Sequence, residues 1–547
     1  MRPAQLPRLL RTVRHLRAVQ VLHLLRRPFR GPWRRRPAPG PAPGLRVSGA
    51  AAAFLPPAAH VRASTAARVE LIGRDVAFPG GIDWGHAGEG PLWQFHLHYH
   101  EWVRAGGLAP AERAAVLLDW IARHREGVGW GPAPSSLRIP QWVKLLLTDG
   151  ALALDPGPAR AVLASLADQL ETLAGNLELD LLGNHYLMNL LTLVLGGALL
   201  EGAGADRWLG FEGALRRELE LQVGADGAHQ ERSPMYHALV LEAVLDLVNV
   251  ARATPGRLAP QTEAGLRAAA SRMLRALACF THPDGEIALF GDSALGIAAS
   301  PAELRGYARR LGIVDPGDAA PARLEQAGFV RLERGGFVVI VSVGGPAPDH
   351  QPGHAHCDAL AFECSVDGRR VVTDSGVAEY RAGARRVHSR ATAAHATLEV
   401  GGHEQAELWA EHRVGGRPRV ALVSAGDDAL EATCAGWATP GVVQRRSFAL
   451  DDAGLTIRDR IEGPRLPLRA TLPLAPGLEP LLDGTRATLA GPGGSALVLE
   501  LPDALDWSVE SGPYYPTFGR EVTRAVLVGR GRAGGLAFRL ARAGRGS

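Results

Sequence analysis

The segment Gly353-His354-Ala355-His356-Cys357-Asp358 carries the densest set of chemically reactive side chains in the sequence. Side chains two residues apart in an extended segment point to the same face, so His354 and His356 are expected to share one. Asp374 and His395 follow in the next apolar stretches. Two imidazoles and a carboxylate suit Zn²⁺, whereas a lone histidine is usually only hydrogen-bonded. The spacing leaves metal binding and hydrogen bonding both open.

Two further polar clusters lie in the N-terminal half of the chain. Asn184 and His185 open one helical run, and Tyr236 stands where a polar loop, 226–233, leads into another. An amide and an imidazole can hydrogen-bond a sugar carboxylate, and a phenol can donate a proton. Each cluster also has a purely structural interpretation, with Asn184 as a helix cap and Tyr236 as an aromatic at a helix start.

Aromatic side chains are crowded in three places. Trp93 and His98 lie in the aromatic and histidine-rich stretch 93–102, and Trp409 and Tyr515 lie near polar residues further on. Aromatic faces stack on sugar rings, but large aromatics more often fill cores. The sequence supports both interpretations equally.

The elements that must position these residues change in character near residue 325. Before it, apolar residues recur at three- and four-residue spacing, which predicts helices over 111–124, 158–174, 186–202, 235–252 and 264–280. After it, short apolar runs separated by turn residues predict strands over 328–343, 359–366, 369–373, 396–400, 418–424, 454–461, 467–473, 496–501 and 524–528. Helices followed by many strands predict an α+β multidomain protein whose C-terminal part is an antiparallel β-sandwich.

Charge is distributed unevenly along the 547 residues. Residues 1–46 hold twelve arginines and no acidic residue, so the rest of the chain sums to −8 although the whole chain carries +4. The body therefore gives no general case for binding nucleic acid. The basic arm 4–28 has apolar residues at helical spacing, and it predicts either a peripheral membrane or partner contact or an arm packed on its own body. A proline-rich linker follows it.

The remaining composition narrows the class of protein only slightly. The four cysteines form no CxxC pair and no disulfide-like framework. No membrane span is expected, because no run of 18 or more uncharged apolar residues stands out. No signal peptide is expected, because arginines interrupt the apolar N-terminal stretch. The compartment (cytoplasm, periplasm or cell envelope) and the oligomeric state stay open.

Taken in order, these clusters resemble the motifs of the heparinase II/III family of polysaccharide lyases. The matching positions are Asn184-His185, Tyr236, His354-Ala355-His356-Cys357-Asp358, Asp374 and His395-Ala396-Thr397. The segment from Tyr380 to Trp409 and the segment Tyr514 to Gly519 resemble a subgroup found among bacterial surface-polysaccharide genes. The resemblance covers roughly residues 85–535.

The resemblance implies an incomplete α/α toroid over residues 85–320, followed by a β-sandwich over 325–547. It implies β-elimination at a uronic acid in an anionic polysaccharide. Asn184, His185, Tyr236 and His354 would be catalytic, with Tyr236 as the acid and a tyrosine or histidine as the base. His356, Asp374 and His395 would hold a structural Zn²⁺. The substrate-binding residues would be Trp93, His98, Glu231, Arg386, Trp409 and Tyr515.

One departure from the family pattern bears on activity. Met188 stands where many relatives carry a glutamate three residues after the histidine of the Asn-His pair. Two other functions therefore stay in competition. One is an inverting glycoside hydrolase using Asp226 and Glu231, which would need carboxylates about 6.5–9.5 Å apart. The other is a non-catalytic lyase homologue that binds a polysaccharide during its assembly or export.

Overall fold

The computed structural model describes residues 6–29, 31–148, 156–315, 320–489 and 496–543. The basic arm forms two short helices, α1 (Leu6–Val13) and α2 (Ala18–Arg26). It is therefore not the single helix expected over 4–28, of which residues 4 and 5 lie outside the described ranges. A small antiparallel sheet follows, with strands β1 (Val61–Thr65), β2 (Arg68–Leu71) and β3 (Arg74–Ala77).

A helical region follows this small sheet. Its helices are α3 (Pro91–Tyr99), α4 (Pro110–Arg123), α5 (Pro132–Thr148), α6 (Pro156–Ala174), α7 (Gly183–Leu199), α8 (Ala203–Leu209), α9 (Glu212–Gln222), α10 (Pro234–Ala253), α11 (Pro260–Phe280) and α12 (Pro301–Arg310). Several begin at a proline, which suits the first helical turn because that turn's backbone N–H groups have no partner within the helix.

All five helices expected from apolar spacing are present within a few residues of their expected ends. Helix α5 was not expected, because its opening Pro132-Ala133-Pro134-Ser135-Ser136 reads as a turn and Pro140 lies in its interior. Burial explains why it forms, since most of its side chains pack against neighbouring helices. The arrangement of these helices as a toroid stays a prediction.

The β region is built from antiparallel sheets. Its strands are β4 (Arg323–Leu324), β5 (Phe329–Arg334), β6 (Phe337–Ser342), β7 (Phe362–Val366), β8 (Arg369–Val372), β9 (Leu398–Val400), β10 (Leu408–Trp409), β11 (Arg413–Val414), β12 (Arg419–Ala425), β13 (Ala429–Ala435), β14 (Val443–Leu450), β15 (Gly454–Glu462), β16 (Leu468–Pro473), β17 (Pro480–Asp483), β18 (Arg486–Leu489), β19 (Leu497–Glu500), β20 (Leu505–Tyr514), β21 (Val522–Gly531) and β22 (Gly535–Arg542). One helix, α13 (Ala384–Arg390), interrupts them.

Three of these sheets share one apolar core. The five-stranded sheet runs β4-β5-β6-β7-β8, the eight-stranded sheet β12-β13-β14-β15-β22-β19-β18-β17, and the four-stranded sheet β20-β21-β16-β9. Side chains from all three belong to one buried cluster. The predicted change from helices to antiparallel sheets is confirmed.

A second core fills the helical region and reaches beyond it. It includes Leu55 and Ile82, which precede the predicted start of the helical domain at residue 85, and also Val377 and Phe518 of the β region. The two regions are therefore in direct apolar contact. Among the described helices, only α10 is long and apolar enough to cross a bilayer, and most of its side chains are buried in this core.

The arm packs against both regions. Arg11 donates from Nε and Nη2 to the Glu407 carboxylate at 2.7 and 2.6 Å, and Trp409 Nε1 donates to Thr12 Oγ1 at 3.1 Å. The buried Gln20 side chain donates to the carbonyl oxygens of Leu181 and His350. Packing of the arm on its own body, one of the two predicted alternatives, is therefore observed.

Candidate functional site

A cavity of about 1360 Å³, including its open mouth, lies where the helical and β regions meet. Three helices each present one face to it. The lining side chains are Ala133, Leu137, Pro140 and Lys144 on α5, Asn184, Met188, Leu191 and Leu195 on α7, and Tyr236, Leu239, Ala243 and Asp246 on α10. Each set recurs at the three- and four-residue spacing that places side chains on one helix face. Tyr380 and Phe518 of the β region complete the wall.

Asn184 is held at the first turn of α7 by Glu231. The Glu231 carboxylate accepts the backbone N–H of Asn184 at 2.8 Å and its side-chain Nδ2–H at 2.6 Å. Gly183 has a φ of 56°, and a Cβ there would collide with the Glu231 carboxylate. Glycine is therefore required for this contact. The second amide hydrogen and the amide oxygen of Asn184 stay available to a ligand.

His185 lines the same cavity and is paired with a carboxylate. Its Nδ1 lies 3.0 Å from Glu178 Oε1, and Glu178 also accepts from Asn189 Nδ2 at 2.9 Å. Burial lowers the pKa of His185, but the attraction of Glu178 outweighs burial and leaves this pKa raised. His185 is therefore biased toward the imidazolium form, which suits binding a carboxylate.

Tyr236 stands at the start of α10, where Ser233 caps the helix by accepting the backbone N–H of Tyr236 at 3.2 Å. The Tyr236 hydroxyl lies 3.0 Å from the Tyr380 hydroxyl across the cavity wall. Burial raises the pKa of Tyr236 far above its ordinary value. The phenol is therefore protonated at neutral pH and available as a proton donor.

His354 lies directly behind Tyr236. The two rings stack with centroids 3.8 Å apart, and His354 Nε2 is 3.7 Å from Glu231 Oε2. His354 Nδ1 is 2.9 Å from Asp292 Oδ2, which leaves Nε2 without a hydrogen-bond partner among the described residues. Asn184, Tyr236 and His354, which come from three separate clusters of the sequence, thus converge on one place.

Asp292 connects these residues, although it belongs to none of the sequence motifs named above. Its two carboxylate oxygens accept from His354 Nδ1 and from His356 Nε2 at 2.9 and 2.8 Å. Arg386 pairs with the same carboxylate, from Nη2 at 3.0 Å and from Nη1. Burial raises the pKa of Asp292, but Arg386 and the histidines hold it well below its ordinary value. Asp292 is therefore ionised.

The contacts with Asp292 show which way His354 and His356 point. Both imidazoles bind its carboxylate, so the two side chains point to the same side. The segment itself is a turn rather than a strand, because strand β7 begins later, at Phe362. The clue in the sequence was Gly291-Asp292-Ser293, a polar break after an apolar run.

The predicted zinc ligands form a second buried group beside Asp292. His395 Nδ1 lies 2.7 Å from Asp374 Oδ2, and the rings of His356 and His395 are 5.4 Å apart. His356 Nδ1 and His395 Nε2 are buried and have no hydrogen-bond partner among the described residues. Two imidazoles and a carboxylate are ligand types that Zn²⁺ accepts, and a zinc ion at these residues stays a prediction.

A different trio has its donor atoms within 4.8 Å of one another, namely Asp292, His354 and His412. Arg386 already pairs with both oxygens of that carboxylate. A guanidinium at the carboxylate opposes a metal cation electrostatically. This trio is accordingly an ion-pair network and not a metal site.

The six predicted substrate-binding residues do not line the cavity. Trp93 and His98 are buried in the helical core, where Trp93 Nε1 donates to Arg74 O and His98 Nε2 contacts Trp84 O. Trp93, Leu97 and Trp102 of the stretch 93–102 belong to the core, whereas His96 and Tyr99 line the cavity. Burial lowers the pKa of His98 well below its ordinary value, so it is uncharged.

The other four residues predicted to bind substrate also lie outside the cavity lining. Glu231 and Arg386 are buried and hold Asn184 and Asp292, so they act through other residues. Trp409 lies under the arm, and Tyr515 is buried with its backbone N–H donated to Ser375 O. Residue type suggested sugar contacts, but only packing determines which side chains reach a cavity.

Comparison with known proteins agrees with this geometry. The family model "Heparinase II/III N-terminus" matches residues 151–310, and "Heparinase II/III-like, C-terminal" matches residues 316–541. Together they span more than half of the chain. The chain belongs to the heparinase II/III family of polysaccharide lyases.

Solved structures show the same fold. A heparinase III crystal structure aligns with a TM-score of 0.69 and 18% identity, over 86% of this chain and 81% of that one. The heparan sulfate lyase HepC from Pedobacter heparinus aligns with a TM-score of 0.57 and 20% identity, over 87% and 80%. No curated protein sequence matches the chain. The predicted fold class, helices followed by antiparallel sheets, is thus confirmed for this heparinase II/III family member.

Proposed function

We propose that this heparinase II/III family member cleaves a uronic-acid polysaccharide by β-elimination in the interdomain cavity. The supporting observation is that Asn184, His185 and Tyr236 line this one cavity, with His354 stacked on Tyr236. The reaction removes the C5 proton of the uronic acid and expels the sugar oxygen bonded to C4. A C4–C5 double bond forms in the product.

The first requirement is to make the C5 proton acidic. A carboxylate resists this because a further negative charge develops beside it, so its own charge must be neutralised. The free amide hydrogen of Asn184 and the imidazolium-biased His185 stand ready for that task. Glu231 fixes the Asn184 amide in place, which reduces the reorganisation needed when charge develops.

The second requirement is a base for C5 and an acid for the departing oxygen. Tyr236 is protonated at rest and therefore suits the acid. Its contact with Tyr380 gives the hydroxyl a route for returning a proton. When both groups leave from one face, Tyr236 would act as the phenolate, which takes the C5 proton and gives it to the departing oxygen. When they leave from opposite faces, the base is His354 through Nε2, the ring nitrogen that does not contact Asp292. His185, biased toward the imidazolium form, stays with the carboxylate.

A structural Zn²⁺ at His356, Asp374 and His395 is part of the proposal. The bound ion would supply fixed positive charge and hold the segment that carries His354. His356 contributes from both ring nitrogens, since Nε2 binds Asp292 and Nδ1 is left for the ion. Elemental analysis of the purified protein before and after chelation tests this. A chelated protein that keeps its melting temperature would contradict a structural ion.

The activity is tested by ultraviolet absorbance of the unsaturated uronate formed from uronic-acid polymers. Release of reducing sugar without that absorbance would instead support a glycoside hydrolase. Asp226, one of the carboxylates considered for that reaction, is occupied by the backbone N–H groups of Ala228, Gln326 and Ala327. Binding without turnover across the polymers would support a non-catalytic homologue, the alternative that Met188 raised.

The arm supports a second proposal, contact with an anionic membrane surface. The inner face of the arm binds Glu407 through Arg11 and contacts Trp409 through Thr12. On its outer face, Leu10 is 61% exposed, Leu25 is 68% exposed and Phe29 is 88% exposed. Residues 1–46 carry only basic charges. Apolar side chains within a basic segment fit anionic lipid headgroups. Contact through this face would hold the cavity close to a membrane.

Co-sedimentation with vesicles tests this contact. The protein is expected to bind vesicles of anionic phospholipid, and binding should fall with added salt. Leu25→Glu is expected to reduce binding, whereas Leu481→Glu, at a residue 74% exposed in the β region, should not. Equal loss in both variants, or equal binding to uncharged vesicles, would contradict the proposal.

A further inference from the structure

The cavity continues well below the residues assigned to catalysis. Tyr236 and Asp246 line it from the same face of α10 and are ten residues apart, which is about 15 Å along a helix. At the far end Lys144, Glu242 and Asp246 form a floor. The space between Tyr236 and this floor could therefore hold parts of the substrate that lie away from the bond that is cleaved.

The floor holds the only lysine of the chain, and it is already paired. Lys144 Nζ lies 2.6 Å from Asp246 Oδ2 and 3.0 Å from Glu242 Oε1. Two carboxylates thus face one ammonium. The nearby Arg104 donates to Gln141 Oε1 and to Leu55 O at 2.7 and 2.6 Å and does not line the cavity.

Acidic side chains dominate the charge of the whole lining. Among the described residues that line the cavity, the acidic ones are Glu101, Glu178, Glu242 and Asp246, and Lys144 is the single lysine or arginine. Of the lining histidines, His96 is uncharged because burial lowers its pKa well below its ordinary value, and His185 is paired with Glu178. Oxyanions are bound by arginine and lysine clusters, which are absent from this lining.

The rest of the wall is mostly apolar, and its polar members Ser136, Gln141 and Thr192 are hydrogen-bonded within the protein. Its apolar side chains include Leu137, Met188, Leu191, Leu195, Leu239 and Ile297. Met188 lies one helical turn below Asn184, so this wall begins directly beside the group that meets the uronate. Burial of a sulfate here would remove its hydration without providing a partner, which is strongly unfavourable. A methyl or acetyl group would instead gain from burial.

We propose that the cavity takes an unsulfated polysaccharide in which the sugar beside the uronate is uncharged and carries an acetyl or methyl group. Its apolar substituent packs against the Met188 wall, and its hydroxyl groups donate to Glu242 and Asp246. This inference rests on the proposed lyase function and names the substrate class of that site. The only anion that the site accommodates is the uronate carboxylate, at Asn184 and His185.

The test uses three forms of one polymer of alternating glucuronate and N-acetylhexosamine: untreated, chemically sulfated, and de-N-acetylated. Formation of unsaturated uronate and calorimetric binding of short oligosaccharides are measured for each. We expect kcat/KM and affinity to be at least tenfold higher for the untreated form than for the sulfated form. De-N-acetylation should raise KM, because the apolar contact is lost.

Two variants locate the effect in the cavity. Glu242→Gln keeps the side-chain shape and leaves Lys144 paired with Asp246, so it removes one negative charge from the floor. We expect this variant to lower the ratio of kcat/KM for the untreated polymer to kcat/KM for the sulfated polymer by about threefold or more. Glu171→Gln removes the carboxylate of a similar pair, 2.8 Å from Arg207 and outside the cavity, and should leave the preference unchanged.

The outcomes separate the inference from the lyase function. Binding that prefers the unsulfated form without any unsaturated product would overturn the function and retain the substrate class. Turnover of the sulfated form at an equal or higher rate would retain the function and overturn the class. No binding of any form, or equal shifts in both variants, would also overturn it.

Discussion

Two buried ion clusters lie on either side of the substrate cavity, and they differ in what they face. The Asp292 cluster is covered, since Arg386, His354 and His356 occupy its carboxylate behind Tyr236. The Lys144 cluster lines the cavity with Glu242 and Asp246. The Asp292 cluster acts through the groups that it holds, His354 among them, whereas the Lys144 cluster lines the cavity directly. We expect the first to affect mainly the rate and the second to affect mainly which sugar is accepted.

The sharpest test of this division is Tyr236→Phe, which removes the acid that the covered cluster supports. We expect kcat to fall by about 10²–10⁴-fold, the usual contribution of general acid–base catalysis. Binding of the unsulfated oligosaccharide should be little changed, because the floor is intact. Full activity in this variant would refute the assigned role, and circular dichroism provides the control for folding.

The next prediction compares the two clusters in stability. Asp292→Asn leaves Arg386 buried without its carboxylate and should lower the free energy of unfolding by about 3–5 kcal/mol. Asp246→Asn should cost less, because Lys144 keeps Glu242 at 3.0 Å. Chemical denaturation of both variants measures the difference. Equal losses in the free energy of unfolding would show that the two clusters contribute equally to stability.

A smaller effect is expected at Glu231, which orients Asn184 from behind the cavity wall. Glu231→Gln keeps one acceptor oxygen but not both contacts, so the amide should lose its fixed orientation. We expect kcat to fall by up to about 10²-fold through this misplacement. The ratio of the KM for the unsulfated polymer to the KM for the sulfated polymer should stay the same. A changed ratio would place Glu231 among the groups that read the substrate.

The smallest effect is predicted far from both clusters, at the arm. Hydrogen bonds from Arg11 lower the pKa of Glu407 to about 2, from an ordinary value of 4.5. A depressed pKa stabilises the docked arm above pH 4.5, and this contribution is lost as the pH falls from 4.5 toward 2. Arm cleavage by pepsin should therefore increase across this window.

Glu407→Gln is the matched variant for the arm. It is expected to release the arm at neutral pH as well, and so to flatten the pH dependence of cleavage. A dependence that persists unchanged in Glu407→Gln would assign the effect to another group. The arm variant should leave the contacts of Asp292 and Lys144 unchanged, because Glu407 touches neither cluster.

Much of the architecture follows from the sequence because it depends on local periodicity. The apolar spacing of 235–252 is sufficient to place α10, and the Gly335-Gly336 turn is sufficient to place β5 and β6. Strands β13 and β14 alternate buried and half-buried residues, yet Arg445 and Arg446 concealed the pattern. Arg446 is buried against Asp459, a partner thirteen residues away that only pairing of β14 with β15 supplies.

The sequence by itself indicated which side chains of the site could do chemistry, namely Asn184, His185, Tyr236 and His354, because the reactivity of an amide, an imidazole or a phenol follows from residue type. Only the tertiary structure decided their partners. Asp292 lies 62 residues before His354, and Lys144 lies about a hundred before Asp246, so no local pattern connects them. Whether a charged side chain ends up behind a wall or facing a cavity depends on helix packing, which is why Arg386 and Glu231 support the site while Glu242 lines it.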